Sequence, residues 1–161
     1  MSSFNRRFLL GLLALAPAAC TFTPAYAPGG PAAGLQNAVR VDNPNSKNSF
    51  DLVERLEERL GRPQTPRFAL RYTITTKSIG VGITPENATT RYNLNGTVDW
   101  VLTDLAGTTV TQGRAQSFTS WSATGSTVAG LSAEEDAAYR LMRILADQIV
   151  TRLVASAGSI L

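Results

Sequence analysis

Few residues in this 161-residue chain carry side chains suited to chemistry. Histidine is absent, which removes the commonest metal ligand and the side chain that titrates nearest neutral pH. A serine nucleophile needs a base to take its proton. Ser120 and Ser122 flank Trp121 without one, there is no Gly-x-Ser-x-Gly elbow, and the pair reads as the polar side of a strand end. Glu57-Glu58 and Glu134-Glu135-Asp136 are acidic clusters. The first falls on a helix face and the second in a helix first turn, where the dipole favours negative charge. No loop offers hard-ligand spacing for a metal. Gly80-Val81-Gly82 is too short for a phosphate loop and no helix follows it, so it reads as a turn. No cofactor or metal site is legible, and an enzyme acting on envelope polymers lacks its acid/base pair.

The one cysteine, Cys20, has a different chemistry in prospect. It allows no internal disulfide and no zinc cluster. Arg6 and Arg7 precede the apolar run Phe8-Leu-Leu-Gly-Leu-Leu-Ala-Leu-Ala16, the pattern of an export signal. That run rises about 13 Å as a helix, against a hydrocarbon core of about 30 Å. Pro17-Ala18-Ala19 then places small residues directly before Cys20, although Pro17 stands where such signals usually have leucine. The expectation is a lipoprotein signal over residues 1–19 and acylation at Cys20, with membrane attachment through the lipid. Several acyl chains hold firmly where one holds marginally. The bland alternative is a secreted protein cut after Ala25-Tyr26-Ala27, but Pro28 follows that site. Thr21 rather than aspartate after the cysteine favours the outer membrane by the usual sorting rule.

Charge narrows the partners. The formal charge is +3. Without Arg6 and Arg7 the mature chain has thirteen basic and twelve acidic side chains, a net of +1. A nucleic-acid binder normally needs a large positive excess, so no nucleic-acid partner is expected. The distribution is more telling. Arg62, Arg67, Arg71, Lys77 and Arg91 face only Glu86 between residues 62 and 91, and residues 99–136 are acidic in compensation. Arg67, Arg71 and Lys77 share strand parity and should line one outward face. That face is either a strip for an anionic, phosphorylated ligand or a solvated surface that discourages edge pairing.

The elements that position these residues follow from pattern. Pro24 to Gly34 is rich in proline and glycine, so residues 20–37 read as the lipidated cysteine and a tether, with one domain over 38–161. Ala38 to Val41 reads as a short strand. Asn48 is expected to cap a helix in which Phe50, Val53, Leu56 and Leu60 recur at helical spacing, ended by Gly61 and Pro63. Phe68, Leu70, Tyr72 and Ile74 alternate with polar residues as a half-buried strand, broken at Gly80, Gly82 and Pro85-Glu-Asn87. A third strand puts Tyr92, Leu94, Val98, Trp100 and Leu102 on one face. A fourth runs from Thr108 to Trp121, with a bulge expected near Gly113. Ser132-Ala-Glu-Glu135 reads as the capping box of a last helix carrying Ala138, Leu141, Met142, Leu145, Ile149 and Leu153, ending near Gly158. The order β-α-β-β-β-α predicts an α+β two-layer sandwich, with two helices on one face of a mainly antiparallel four-stranded sheet.

Taken in order, several fragments resemble the lipopolysaccharide-assembly lipoprotein family LptE. Cys20-Thr-Phe-Thr-Pro-Ala-Tyr26 is similar to that family's opening Cys-Gly-Phe-x-Pro-Leu-Tyr, departing at Thr21 and Ala25. Thr-Thr-Arg91-Tyr92-Asn-Leu94 resembles the start of its third strand. Asp104-Leu-Ala-Gly107 through Gln112-Gly113 resembles its hairpin, and Ala146-Asp147-Gln148-Ile149 with Arg152-Leu153 its closing helix. The resemblance implies no catalysis. It implies an outer-membrane lipoprotein that plugs the β-barrel of LptD, supports its folding and assists lipopolysaccharide assembly at the surface. Such a plug is a rigid insert in a polar lumen, kept near its partner by the anchor. The resemblance also implies that contacts to lipopolysaccharide, as in some family members, run through basic residues in the loops before the third strand and the last helix. Here Ser78 to Thr90 and Ala115 to Tyr139 hold no Lys or Arg. The contact is then either missing or moved to Arg67, Arg71, Lys77 and Arg91. The alternative partner is an ABC-type lipid-transport system, served by an auxiliary lipoprotein of similar architecture.

Overall fold

The structure, a computed structural model, describes residues 24–30, 32–123 and 126–160. The expected signal segment and Cys20 lie outside the described residues. The elements are β1 (Val39–Val41), α1 (Lys47–Leu60), β2 (Phe68–Ile83), β3 (Thr89–Asp104), β4 (Thr109–Ser122) and α2 (Thr127–Ile160). They form one four-stranded sheet in the order β1-β2-β3-β4. β1 pairs parallel with β2, and the other two pairings are antiparallel. The α+β two-layer architecture expected from pattern is the one observed.

Register explains which side is buried. Leu70 lies opposite Leu102, Tyr72 opposite Trp100 and Ile74 opposite Val98, so the apolar alternations of β2 and β3 fall on one face. That face meets Leu52, Leu56 and Leu60 of α1 and Leu141, Met142, Leu145, Ile149 and Leu153 of α2 in a single core. A side chain at Gly96 would lie 2.8 Å from Leu141, so its absence lets α2 approach β3 closely. Buried Thr119 donates its hydroxyl to Ala137 O at 2.8 Å, which satisfies a polar group in that contact. The helices run parallel and are joined by ion pairs. Arg55 makes a two-pronged contact to Asp147 at 3.0 Å on both arms, and Glu58 bridges Arg55 and Arg143 at 2.7 and 3.3 Å.

Several local expectations are corrected. The cap of α1 is Ser46, not Asn48: Ser46 Oγ accepts from Ser49 N–H at 3.2 Å and Ser49 Oγ accepts from Ser46 N–H at 2.8 Å. Two reciprocal bonds satisfy two orphan donors, which a cap at Asn48 would leave bare. Phe50 shares the helical spacing of the core residues but is 57% exposed. Ser132 does not begin the last helix. Thr127 to Leu131 add turns before it, beside Tyr92 and Trp121. β2 continues through Gly80 and Gly82 to Ile83 with register shifts there, because the strand bulges instead of turning. In β4, Gly113 is in regular register opposite Trp100 and the irregularity falls between Thr109 and Thr111. Gly113 serves instead as a seat: a Cβ there would come within 2.8 Å of the Trp100 ring. Finally, Ala32 and Leu35, in the stretch expected to be tether, are fully buried in the core.

Candidate functional site

Both helices cover the same side of the sheet, so the opposite side is open. Its composition follows from register. Arg71, Val101 and Gln112 form one row, and Thr73, Asp99 and Arg114 the next. Thr75, Thr97 and Gln116 follow, then Lys77, Asn95 and Phe118. Arg91 lies further along, between Gly82 and Ser122. This surface is polar, rich in Thr, Asn and Gln, and weighted toward positive charge.

Three of the four basic residues singled out from sequence therefore share this face: Arg71, Lys77 and Arg91, all exposed. Arg67 stands apart. It precedes β2 and holds its guanidinium 5.2 Å from the centre of the Phe68 ring, a cation–π contact. The three are spread along the strands. Arg71 and Lys77 are six residues apart, about 20 Å at the rise of a strand. They make a field and not a pocket for one phosphate.

Sequence reading passed over two further cations on this face. Arg40, in register with Ala69, extends it across β1. Arg114 pairs with Asp99 across β3 and β4, at 2.5 and 3.1 Å. That carboxylate pushes the Arg114 guanidinium further above its ordinary range, chiefly through the hydrogen bond. The pair neutralises Asp99, so that carboxylate does not offset Arg40, Arg71, Lys77 and Arg91 elsewhere on the face. The alternation Val39-Arg40-Val41 was the signal that would have found Arg40. Beside these residues lies a shallow cleft of about 650 Å3, bordered by Arg71, Thr73, Val101, Gln112 and Arg114.

The arrangement supports binding by charge and shape. Ser120 and Ser122 sit on the same open face, with Asn93 and Arg91 as cross-strand neighbours. Neither neighbour is a base. Among the described residues, no group of three Asp, Glu, His or Cys is placed to hold a metal. No described helix is long and apolar enough to cross a membrane.

The sequence profile of a lipopolysaccharide-assembly family, LptE, matches residues 36–153. Solved structures share the fold. A candidate lipoprotein of Caulobacter crescentus CB15 superposes with a TM-score of 0.68 at 21% identity, over 81% of this chain and 97% of that one. Rare lipoprotein B of Shewanella oneidensis gives 0.58 at 12% identity, over 74% and 93%. Lipoprotein B of Nitrosomonas europaea gives 0.57 at 13% identity, over 75% and 85%. Comparison with curated protein sequences yields no significant match.

Proposed function

This chain belongs to the LptE lipopolysaccharide-assembly family, and from that membership we propose that it works as a plug inside an LptD-like β-barrel of the outer membrane, moored by acylated Cys20. The coarser role, a lipoprotein of lipopolysaccharide assembly, comes with the family. The observation that carries the finer reading is the open sheet face: polar and net positive, on a frame stiffened by helices on the other side.

A barrel lumen is polar, so an insert is held there by polar pairing and shape. The long axis suits the task. β2 runs from Phe68 to Ile83, about 50 Å at the rise of a strand. The hydrocarbon core is about 30 Å thick. The two ends differ in role. Ala38 lies beside Phe68, and Asn37 donates to Leu60 O at 2.8 Å, so the N-terminal segment leaves from the end where β2 begins. The β2–β3 hairpin tip projects from the other end. In this reading the anchor holds one end at the inner leaflet and the tip points outward. Arg71, Lys77 and Arg91 present positive charge to the phosphates of passing lipopolysaccharide.

The test is detergent extraction of the tagged, full-length lipoprotein, followed by identification of what stays bound. A large β-barrel is the expected companion, and an ABC transporter in its place would overturn the reading. Cys20→Ser should release the protein from envelopes. Replacing Arg71 and Arg91 together by glutamate should reduce bound lipopolysaccharide severalfold at low salt.

A further inference from the structure

The two long edges of the sheet differ. Along β4, side chains of α2 meet the outward backbone: Arg152 donates to Arg114 O, Gln148 pairs with both backbone groups of Gln116, and Arg140 Nη2 reaches Ser120 O at 3.4 Å. Strand addition there would have to displace them. Along β2 the cover stops early. β1 pairs only with Phe68, Ala69 and Leu70. Phe68 N–H donates to Ala38 O, and Leu70 O accepts from Asp42 N–H, both at 3.0 Å. Even-numbered residues of β2 thus turn their backbone groups away from β3. At Thr76 and Ser78 those groups have no partner among the described residues.

The helix layer is also incomplete beside this edge. Lys47, the first residue of α1, lies by Tyr139, with its Nζ 5.9 Å from the ring centre. Residues of α2 before Tyr139 therefore run on without a second helix alongside. The space left is a groove of about 290 Å3, lined by Thr76, Leu94, Leu131, Glu134, Glu135 and Lys47. Leu131 is 58% exposed. A strand laid along β2 would continue the line of β1, pair with Thr76 and Ser78, and drop alternate side chains into that groove.

We propose that the β2 edge from Thr75 to Ile83 is a strand-addition site for an extended segment of the barrel partner. The segment carries apolar residues and one basic residue on its helix side, facing Leu94, Leu131, Glu134 and Glu135. On its other side it carries an acidic residue beside Lys77. This rests on the reading that a barrel grips the chain. Two other occupants fit worse. In the mature chain, four residues from Cys20 to Pro24 reach at most about 14 Å. Thr75 is seven residues along β2 from Phe68, about 23 Å from the end where the N-terminal segment is held. A second copy added antiparallel would bring Lys77 against its like on one face and Glu134 and Glu135 toward theirs on the other, which is repulsive.

Proline provides the test. At Ser78 the N–H points away from β3, so Ser78→Pro removes no bond of the β2–β3 ladder but blocks an added strand. Full-length tagged lipoprotein, wild type and Ser78→Pro, is extracted in detergent, and its melting temperature and bound barrel are measured. The expected result is an unchanged melting temperature and at least tenfold less barrel. Undiminished barrel overturns the strand-addition site and leaves the plug reading intact. Absence of barrel from the wild type overturns the plug reading, and the site with it. If Ser78→Pro lowers the melting temperature, the photocrosslinker p-benzoylphenylalanine at Thr76 and at Lys77 decides. Adducts from both positions to one short segment of the barrel support the site. A homodimer adduct, or none, overturns it.

Discussion

The side-chain amide of Gln148 lies against the peptide unit of Gln116 as a strand neighbour would, accepting from its N–H at 3.2 Å and donating to its C=O at 3.1 Å. A helix residue thereby occupies the outward side of β4. The motif Ala146-Asp147-Gln148-Ile149 divides its work by direction around the helix. Ala146 and Ile149 enter the core, Asp147 pairs with Arg55 of α1, and Gln148 closes the sheet edge. Gln148→Ala should lower unfolding free energy by about 1 kcal/mol, since net hydrogen bonds at an exposed edge are modest. It should also raise self-association, because the edge is opened. Urea melts and sedimentation velocity check both; an unchanged midpoint with no added dimer would show that the contact is incidental.

The Arg55–Asp147 pair joins the two helices through two parallel bonds. Arg55 is 20% exposed and Asp147 39%, so solvent screens much of the attraction. A coupling energy of about 1 kcal/mol is expected. A double-mutant cycle with Arg55→Ala and Asp147→Ala measures it. Strict additivity of the two single effects would mean the helices are held by apolar packing alone.

Acid should loosen the same interface. The hydrogen bond from Arg55 lowers the Glu58 pKa below its ordinary value of 4.5; burial opposes it, and the charges of Arg143 and Arg55 add to the lowering. The unfolded chain then binds this proton more readily than the folded one. The stabilisation is full above that ordinary value and is lost as pH falls through the folded value. The melting-temperature gap between wild type and Glu58→Gln should therefore be constant near neutrality and shrink on acidification below 4.5. A gap that stays flat down to about pH 3 contradicts this assignment.

Gly113→Val should destabilise by about 1–3 kcal/mol, the usual cost of overpacking. The new side chain would meet the buried Trp100 ring. Tryptophan emission should shift along with the melting temperature. Wild-type stability in this variant would show that the ring has room to move, and would remove the packing reason for glycine opposite Trp100.

Much of the architecture was legible because it repeats locally. The alternation from Phe68 to Ile74 and from Tyr92 to Leu102 marks two half-buried strands, and the stripe from Leu141 to Leu153 marks the long helix. The misses share a cause. Asn48 and Ser46 are both good caps in isolation, and the choice fell to Ser46 because Ser49 could answer it. Phe50 keeps helical spacing with the core but points where no strand or helix covers it. Thr109 and Thr111, not Gly113, flank the irregularity of β4, since Trp100 needed the space above a glycine.

Side-chain type and spacing by themselves determined the export pattern ending at Cys20, the absence of histidine chemistry, the β-α-β-β-β-α order and the shared face of Arg71 and Lys77. These depend on periods of two and 3.6, which the chain carries in every short window. Only the tertiary structure decided that Arg40 joins that face while Arg67 leaves it, that Asp99 is answered by Arg114, and that β4 is covered while no described strand pairs with the outer side of β2 beyond Leu70. Those outcomes depend on which distant segments become neighbours, and that is fixed when the sheet and helices pack around one core.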